Sequence, residues 1–216
     1  MRDPSSYGVV AAGWGFAEGA SMFAAITLAP LTKARQDGEL VARCKTTGRA
    51  GQRHGSKKDR CPMQMKVVPP VRVLSAPHRI TLAEVGKTAS AVCAAVEADA
   101  AAQGMTVNGP WMFIYRNLPH DPDTPFEIEF CLPVQSGAVY HGRHVLKTLP
   151  GTTCAAHVHE GPLDRLFDSY ATLLRAAAAR GCRLSGESRE IYHCWQGPQA
   201  AENRVEILFA LEPEPA

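Results

Sequence analysis

The residues best equipped for chemistry lie in two short runs, Trp111-Met112-Phe113-Ile114-Tyr115 and Ser188-Arg189-Glu190-Ile191-Tyr192. Both read as strands, and alternate strand residues share a face. Trp111, Phe113 and Tyr115 then share one face, as do Ser188, Glu190 and Tyr192, while Ile114 and Ile191 lie opposite. With the isoleucines on the packed side, the other side is a groove holding Trp111, Phe113, Tyr115, Glu190 and Tyr192. Aromatic faces attract cations by about 0.5–2 kcal/mol each, and a desolvated carboxylate supplies a charge partner. Burial would raise the pKa of Glu190, and a bound cation would lower it. The set therefore suits an apolar or cationic organic ligand. The same positions could equally be core-edge tyrosines beside a solvated Glu190, because strand aromatics commonly serve packing.

Other reactive residues form no recognisable site. His157 and His159 lie two apart on one strand face, with His141, His144 and His193 not far along the chain. They match no metal-ligand spacing and lack carboxylate company, so no metal and no cofactor is expected. His157 is read instead as a hydrogen-bonding groove residue or a polar strand edge. Trp195 follows the second run and could close the groove or anchor a surface loop. Seven cysteines without a Cys-x-x-Cys pair, several inside apolar runs, read as small buried hydrophobes in a reducing compartment. The expected location is cytoplasmic, since no apolar run approaches the ~20 residues of a membrane helix and the start is a poor secretory signal.

The elements that must position the two runs recur. Val71 to Leu74 is a candidate strand. Residues 81–103 are an Ala-rich helix with Leu82, Val85, Ala89, Val92, Cys93 and Val96 on one stripe, ended by Gly104. Residues 111–115 and 126–132 follow as strands. The order then repeats: a strand from Thr153 to His159, a helix over 163–180 ended by Gly181, and strands at 190–193 and 205–211. In the second helix Leu163, Leu166, Phe167, Tyr170, Leu173 and Leu174 make an amphipathic stripe.

Residues 104–116 align on 181–193 without a gap at an offset of 77, matching Gly104 with Gly181, Gly109 with Gly186, Ile114 with Ile191 and Tyr115 with Tyr192. Phe113 and Glu190 are equivalents in this alignment. Further on, Glu127-Ile128-x-Phe130-x-Leu132 aligns on Glu206-Ile207-x-Phe209-x-Leu211 at an offset of 79. A unit this small cannot bury its own apolar face. The expected fold is α+β: duplicated βαββ units with pseudo-twofold symmetry, forming an antiparallel sheet with two helices on one face and a ligand groove along the axis. The repeats are placed at about 66–134 and 144–213, within a domain spanning 66–213.

Residues 1–62 differ from the rest. They hold ten Lys/Arg against five Asp/Glu, and the remainder holds thirteen against sixteen. Residues 43–62 are basic and poor in apolar side chains. The segment is read as a disordered or non-native basic extension. Cys44, His54 and Cys61 make no convincing zinc set. The mildly acidic main domain gives no electrostatic footprint for nucleic acid. The partner expected is a small organic ligand, with no nucleic acid through the main domain and no membrane; oligomeric state is not legible.

Taken in order, Gly109-x-x-x-Phe113-x-Tyr115, His159-Glu160-Gly161-Pro162-Leu163, Ala179-Arg180-Gly181 and Arg189-Glu190-Ile191-Tyr192 resemble the GyrI-like (gyrase-inhibitor-like) small-molecule-binding domain. That domain is also the effector-binding domain of some AraC-type and MerR-type regulators. The resemblance spans about residues 66–213. It implies a duplicated βαββ fold, a cleft on the pseudo-axis and Glu190 as that cleft's acidic residue. Members bind lipophilic, often cationic compounds, and some stand-alone members hydrolyse cyclopropane-containing natural products. Residues 1–62 show no helix-turn-helix.

Three functions follow. The first is a stand-alone module binding a lipophilic organic compound through Trp111, Phe113, Tyr115, His157, Glu190, Tyr192 and Trp195. The second is a hydrolase acting on an electrophilic small molecule, with Glu190 as base and Tyr192 or Tyr115 as hydrogen-bond donor. The third is a protein-interaction module such as a gyrase inhibitor.

Overall fold

In the computed structural model, the described residues are 63–119, 121–135 and 140–213. The expectation for segment 1–62 falls outside them. The first half holds β1 (Gln64–Val68), β2 (Val71–Ile80), α1 (Val85–Ala102), β3 (Met112–Arg116) and β4 (Phe126–Pro133). The second half holds β5 (Val145–Leu149), β6 (Thr152–Glu160), α2 (Leu166–Ala179), β7 (Leu184–Cys194) and β8 (Arg204–Leu211). The fold is the α+β duplication expected from the sequence, and each βαββ unit carries one further strand in front.

All eight strands join one antiparallel sheet in the order β1-β6-β8-β7-β3-β4-β2-β5. The order is symmetric about the β7–β3 pair. Each half lends its first strand to the other: β1 pairs with β6, and β5 with β2. A short link forces curvature. β1 and β2 stand first and seventh in the sheet, yet only Pro69 and Pro70 join them. Six flat strand spacings would measure about 29 Å, whereas three backbone steps reach about 11 Å. Pro150-Gly151 imposes the same limit on β5 and β6, which stand eighth and second. The sheet therefore curls until the two links meet: a Cβ on Gly151 would sit 3.0 Å from the Val68 carbonyl oxygen.

The curl encloses one face, where Val73, Met112, Ile114, Cys131, Cys154 and Leu208 pack together. The helices cover the other. Leu82, Ala89, Cys93, Val96 and Ala100 on the α1 side, and Leu163, Leu166, Tyr170, Leu173 and Ala177 on the α2 side, share a core with Phe113, Phe130 and Ile207. These are the apolar stripes of the sequence laid on a sheet. Each helix ends where Gly104 (φ 64) and Gly181 (φ 68) take the left-handed conformation.

The cross-strand register refines the repeat. β3 and β7 pair Phe113 with Glu190, so these equivalents face each other across the pseudo-twofold axis. Phe113 also faces Phe130, and Glu190 also faces Ile207, which keeps the offset at 77 into β4 and β8. The 79-residue alignment of those strands is corrected by two residues, a slip that preserves the face because side chains alternate with period two. Ahead of the helices the offset is 81, since β1 and β5 start at Gln64 and Val145, and β2 and β6 at Val71 and Thr152. The change of four is the extra length of α1, 18 residues against 14 in α2, about one helical turn.

Two equivalent ion-pair groups fasten the exchanged strands. Glu129 on β4 accepts from Lys147 on β5, Arg116 on β3 and Ser75 on β2. Glu206 on β8 accepts from Lys66 on β1 at 2.7 Å and contacts His193 on β7 at 3.1 Å. Lys147 and Lys66 correspond at offset 81; Glu129 and Glu206, and Arg116 and His193, correspond at offset 77. Burial alone would push the Glu129 carboxyl up, but its donors outweigh burial and hold it at about 2.

Candidate functional site

A strand that places one side chain beside a twofold axis can offer that side chain to both halves at once. Glu190 holds this position in the middle of β7, facing the helices. It is 4% exposed. Tyr115 of β3 and Tyr192 of β7 both donate to Glu190 Oε2, each at 2.7 Å. The opposite oxygen, Oε1, accepts from Tyr170 of α2, also at 2.7 Å. The first two tyrosines are repeat equivalents. Tyr170 breaks the symmetry: the buried Ala89, Cys93, Val96 and Ala100 of α1 match Leu166, Tyr170, Leu173 and Ala177 of α2 at offset 77, which sets Cys93 in its place.

Burial pushes the Glu190 carboxyl up, and the hydroxyls of Tyr192, Tyr115 and Tyr170 draw it only partly back. The same burial, followed by the nearby Glu190 charge, drives all three phenols well above their ordinary value. They remain protonated donors at physiological pH. A carboxylate can accept about four hydrogen bonds, and Tyr115, Tyr192 and Tyr170 supply three, at least one on each oxygen.

The three buried carboxylates among the described residues are Glu129, Glu190 and Glu206. Glu129 and Glu206 hold basic side chains. Among the described residues no Lys, Arg or His forms an ion pair with Glu190. His159, a minor electrostatic influence on Glu190, has its ring nitrogens against Ser169 Oγ and the Pro162 carbonyl oxygen, each at 3.0 Å.

Aromatic rings surround the carboxylate. Phe113 packs on Tyr192 with ring centroids 4.7 Å apart and meets Phe130 edge-on at 4.8 Å. Tyr115 stacks on Phe126 at 5.9 Å, and Tyr170 meets Phe209 at 5.6 Å. Trp195 stands edge-on to Tyr192 at 5.7 Å. Trp111 is buried beside Phe113, with its Nε1 donating to Glu97 Oε1 of α1 at 2.9 Å. His157 lies in the same sheet row as Glu190, two strands away, because Ile207 faces both. It is half-buried at the groove margin.

The structure thus gathers Phe113, Tyr115, Glu190 and Tyr192 into one cluster, puts Trp111 and Trp195 at one end of it and leaves His157 apart. Sequence reasoning missed Tyr170, which looked like one more member of the α2 stripe. The available signal was its hydroxyl: a tyrosine at the centre of a buried stripe needs a polar partner. The same reasoning placed Ser188 on the Glu190 face but left it out of the groove, where Ser188 lines a cleft of about 190 Å³ beside Tyr170 and Phe209. No group of three or more His, Cys, Asp or Glu among the described residues is arranged to hold a metal ion. No helix among them is long and apolar enough to cross a membrane.

Comparison with known proteins agrees with this fold. A family model described as a GyrI-like small molecule binding domain matches residues 62–212. The C-terminal domain of EcmrR is similar in structure at a TM-score of 0.58 and 22% identity, over 69% of this chain and 96% of that one. EcmrR in its complex with DNA is similar at 0.61 and 22% identity, over 72% of this chain and 60% of that one. A conserved protein from Listeria innocua, described as uncharacterized, is similar at 0.52 and 13% identity, over 72% of this chain and 94% of that one. At these identities the likeness is one of fold. No curated protein matches the sequence.

Proposed function

The chain belongs to the GyrI-like family of small-molecule-binding domains, and from that premise we propose that its ligand is a lipophilic organic cation received by Glu190. The observation that carries this reading is the contrast among buried carboxylates. Two have basic partners inside the protein; Glu190, the one beside the axis, has only neutral hydroxyls.

Magnitudes favour a cation over a neutral guest. To reach Oε1, a ligand must displace the Tyr170 hydroxyl, and a hydrogen bond to a charged group is worth about 1.5–3 kcal/mol. A cation 4 Å from the carboxylate gains about 4 kcal/mol at an effective dielectric of 20. Cation–π contact with Phe113, Tyr115 and Tyr192 adds about 0.5–2 kcal/mol per ring. A neutral guest lacks both gains and still displaces the hydroxyl.

Trp195 and Trp111 complete the aromatic wall, and His157 serves as a polar contact at its margin. Binding without turnover is ranked first. Hydrolysis with Glu190 as base and Tyr192 as donor asks for a carboxylate oxygen open to water, whereas both oxygens here accept phenol hydroxyls. The test is a thermal-shift panel of quaternary ammonium compounds with increasing apolar bulk, run beside neutral compounds of similar shape. A ligand of the native state raises its melting temperature. Shifts for the cations alone support the reading; equal shifts for both classes, or shifts for the neutral set only, refute it.

A further inference from the structure

The repeat symmetry fails at the site, and the failure decides where a ligand enters. At offset 77, Trp111 corresponds to Ser188 and Trp195 to Leu118. Two tryptophans therefore stand at one end of the groove, and serine and leucine stand at the equivalent positions of the other. Trp111 is fixed on both sides: its indole donates to Glu97, and its carbonyl oxygen accepts the Tyr192 N–H at 3.0 Å. At the Ser188 end lies the cleft of about 190 Å³, lined by Leu118, Tyr170, Leu174, Leu184, Ser188 and Phe209. Tyr170 forms part of its wall while its hydroxyl holds Glu190 Oε1, so one side chain separates the open cleft from the buried carboxylate. A larger cleft of about 430 Å³, beside Pro70, Arg72 and Asn108, shares no residue with this cluster.

The geometry points to a single mouth: ligands reach Glu190 from the Ser188 end, past Tyr170, and the Trp111 end stays closed. This rests on the proposed reception of a cation by Glu190. The cleft is close in size to an engineered cavity of about 150 Å³ that holds benzene. It therefore seats one ring-sized apolar group, with the cationic centre directed inward toward Oε1. Ser188 and Leu118 set how bulky that group is; their counterparts Trp111 and Trp195 deny the same space at the opposite end.

The test is calorimetric titration of the full chain with benzyltrimethylammonium, which carries one ring and a permanent charge, and with neutral benzyl alcohol. Ser188→Phe fills the cleft from the sheet and Leu174→Trp fills it from α2, so one substitution serves if the other prevents folding. Glu97→Ala releases the indole at the closed end. The expected result is a loss of tenfold or more for the cation in either filling variant, and a change within twofold in Glu97→Ala. Unchanged affinity in both filling variants, or a larger effect from Glu97→Ala, overturns the single mouth while leaving reception by Glu190 intact. Benzyl alcohol binding as well as the cation, yet blocked by the filling variants, upholds the mouth and sinks the cation. A wild-type chain that binds neither probe overturns both.

Discussion

Tyr115 and Tyr192, equivalent under the repeat, donate to the same oxygen of Glu190 at the same distance of 2.7 Å. Neither half could build this arrangement alone. The shared acceptor sits where the two halves meet, so the site and the duplication are one structural fact. The first consequence concerns coupling. Removing either hydroxyl leaves Oε2 with one donor, while removing both leaves a buried carboxylate oxygen without any. Leaving a buried acceptor unsatisfied costs about 1–3 kcal/mol, more where it is charged. Tyr115→Phe and Tyr192→Phe are expected to destabilise by similar amounts, of order 1 kcal/mol each. The double variant should lose more than their sum, by about 0.5–3 kcal/mol. Urea unfolding of the four proteins measures this, and strict additivity would mean that the two hydroxyls act independently.

The second prediction concerns pH. Burial holds the Glu190 carboxyl above its ordinary value of 4.5, and a permanent cation favours the ionised form. Affinity for benzyltrimethylammonium should climb as pH rises from 4.5 through the raised value and then level off. The contribution of Glu190 to folding runs the other way: it is full below 4.5 and is lost as pH rises through the folded pKa. In Glu190→Gln both dependences should disappear, as read by titration and by melting temperature across pH.

The third prediction concerns the exchanged strands. The Glu129 carboxyl lies at about 2 instead of 4.5, so its contribution is present above 4.5 and lost as pH falls toward 2. At about 1.36 kcal/mol per pKa unit, this amounts to about 3 kcal/mol. Glu129→Gln should lower stability at neutral pH and flatten the acid limb of the stability curve. Lys147→Met removes the tie between β5 and β4 and should act in the same direction with smaller effect, since Lys147 is partly exposed.

Much of this is legible in the sequence itself. The glycines that end both helices, the apolar stripes and the aligned tyrosines are local signals, and each marks a real element. Phe113 and Glu190 as equivalents followed from the 77-residue offset alone. Less legible were β1 and β5, five residues each with a single buried position. Their partners lie in the opposite repeat, so nothing nearby in the chain announces them. Lys147 and Lys66 likewise find Glu129 and Glu206 only through strand exchange. Tyr170 was hidden differently: its ring belongs to the α2 stripe, and only its hydroxyl belongs to the site. The last strands misled because Glu-Ile-x-Phe-x-Leu recurs two residues out of structural register, and a slip of two keeps every side chain on its proper face.

The proposed role of Glu190 is to receive the positive charge of a ligand. The most direct measurement compares wild type and Glu190→Gln for benzyltrimethylammonium affinity at pH 8. Glutamine keeps the shape of the residue and carries no charge; its amide oxygen can still accept from Tyr115 and Tyr192, while its NH2 group faces the Tyr170 hydroxyl as a donor. Binding at least tenfold weaker in Glu190→Gln, or about 1.4 kcal/mol or more, is the predicted result. Equal affinity in a folded variant would contradict the account.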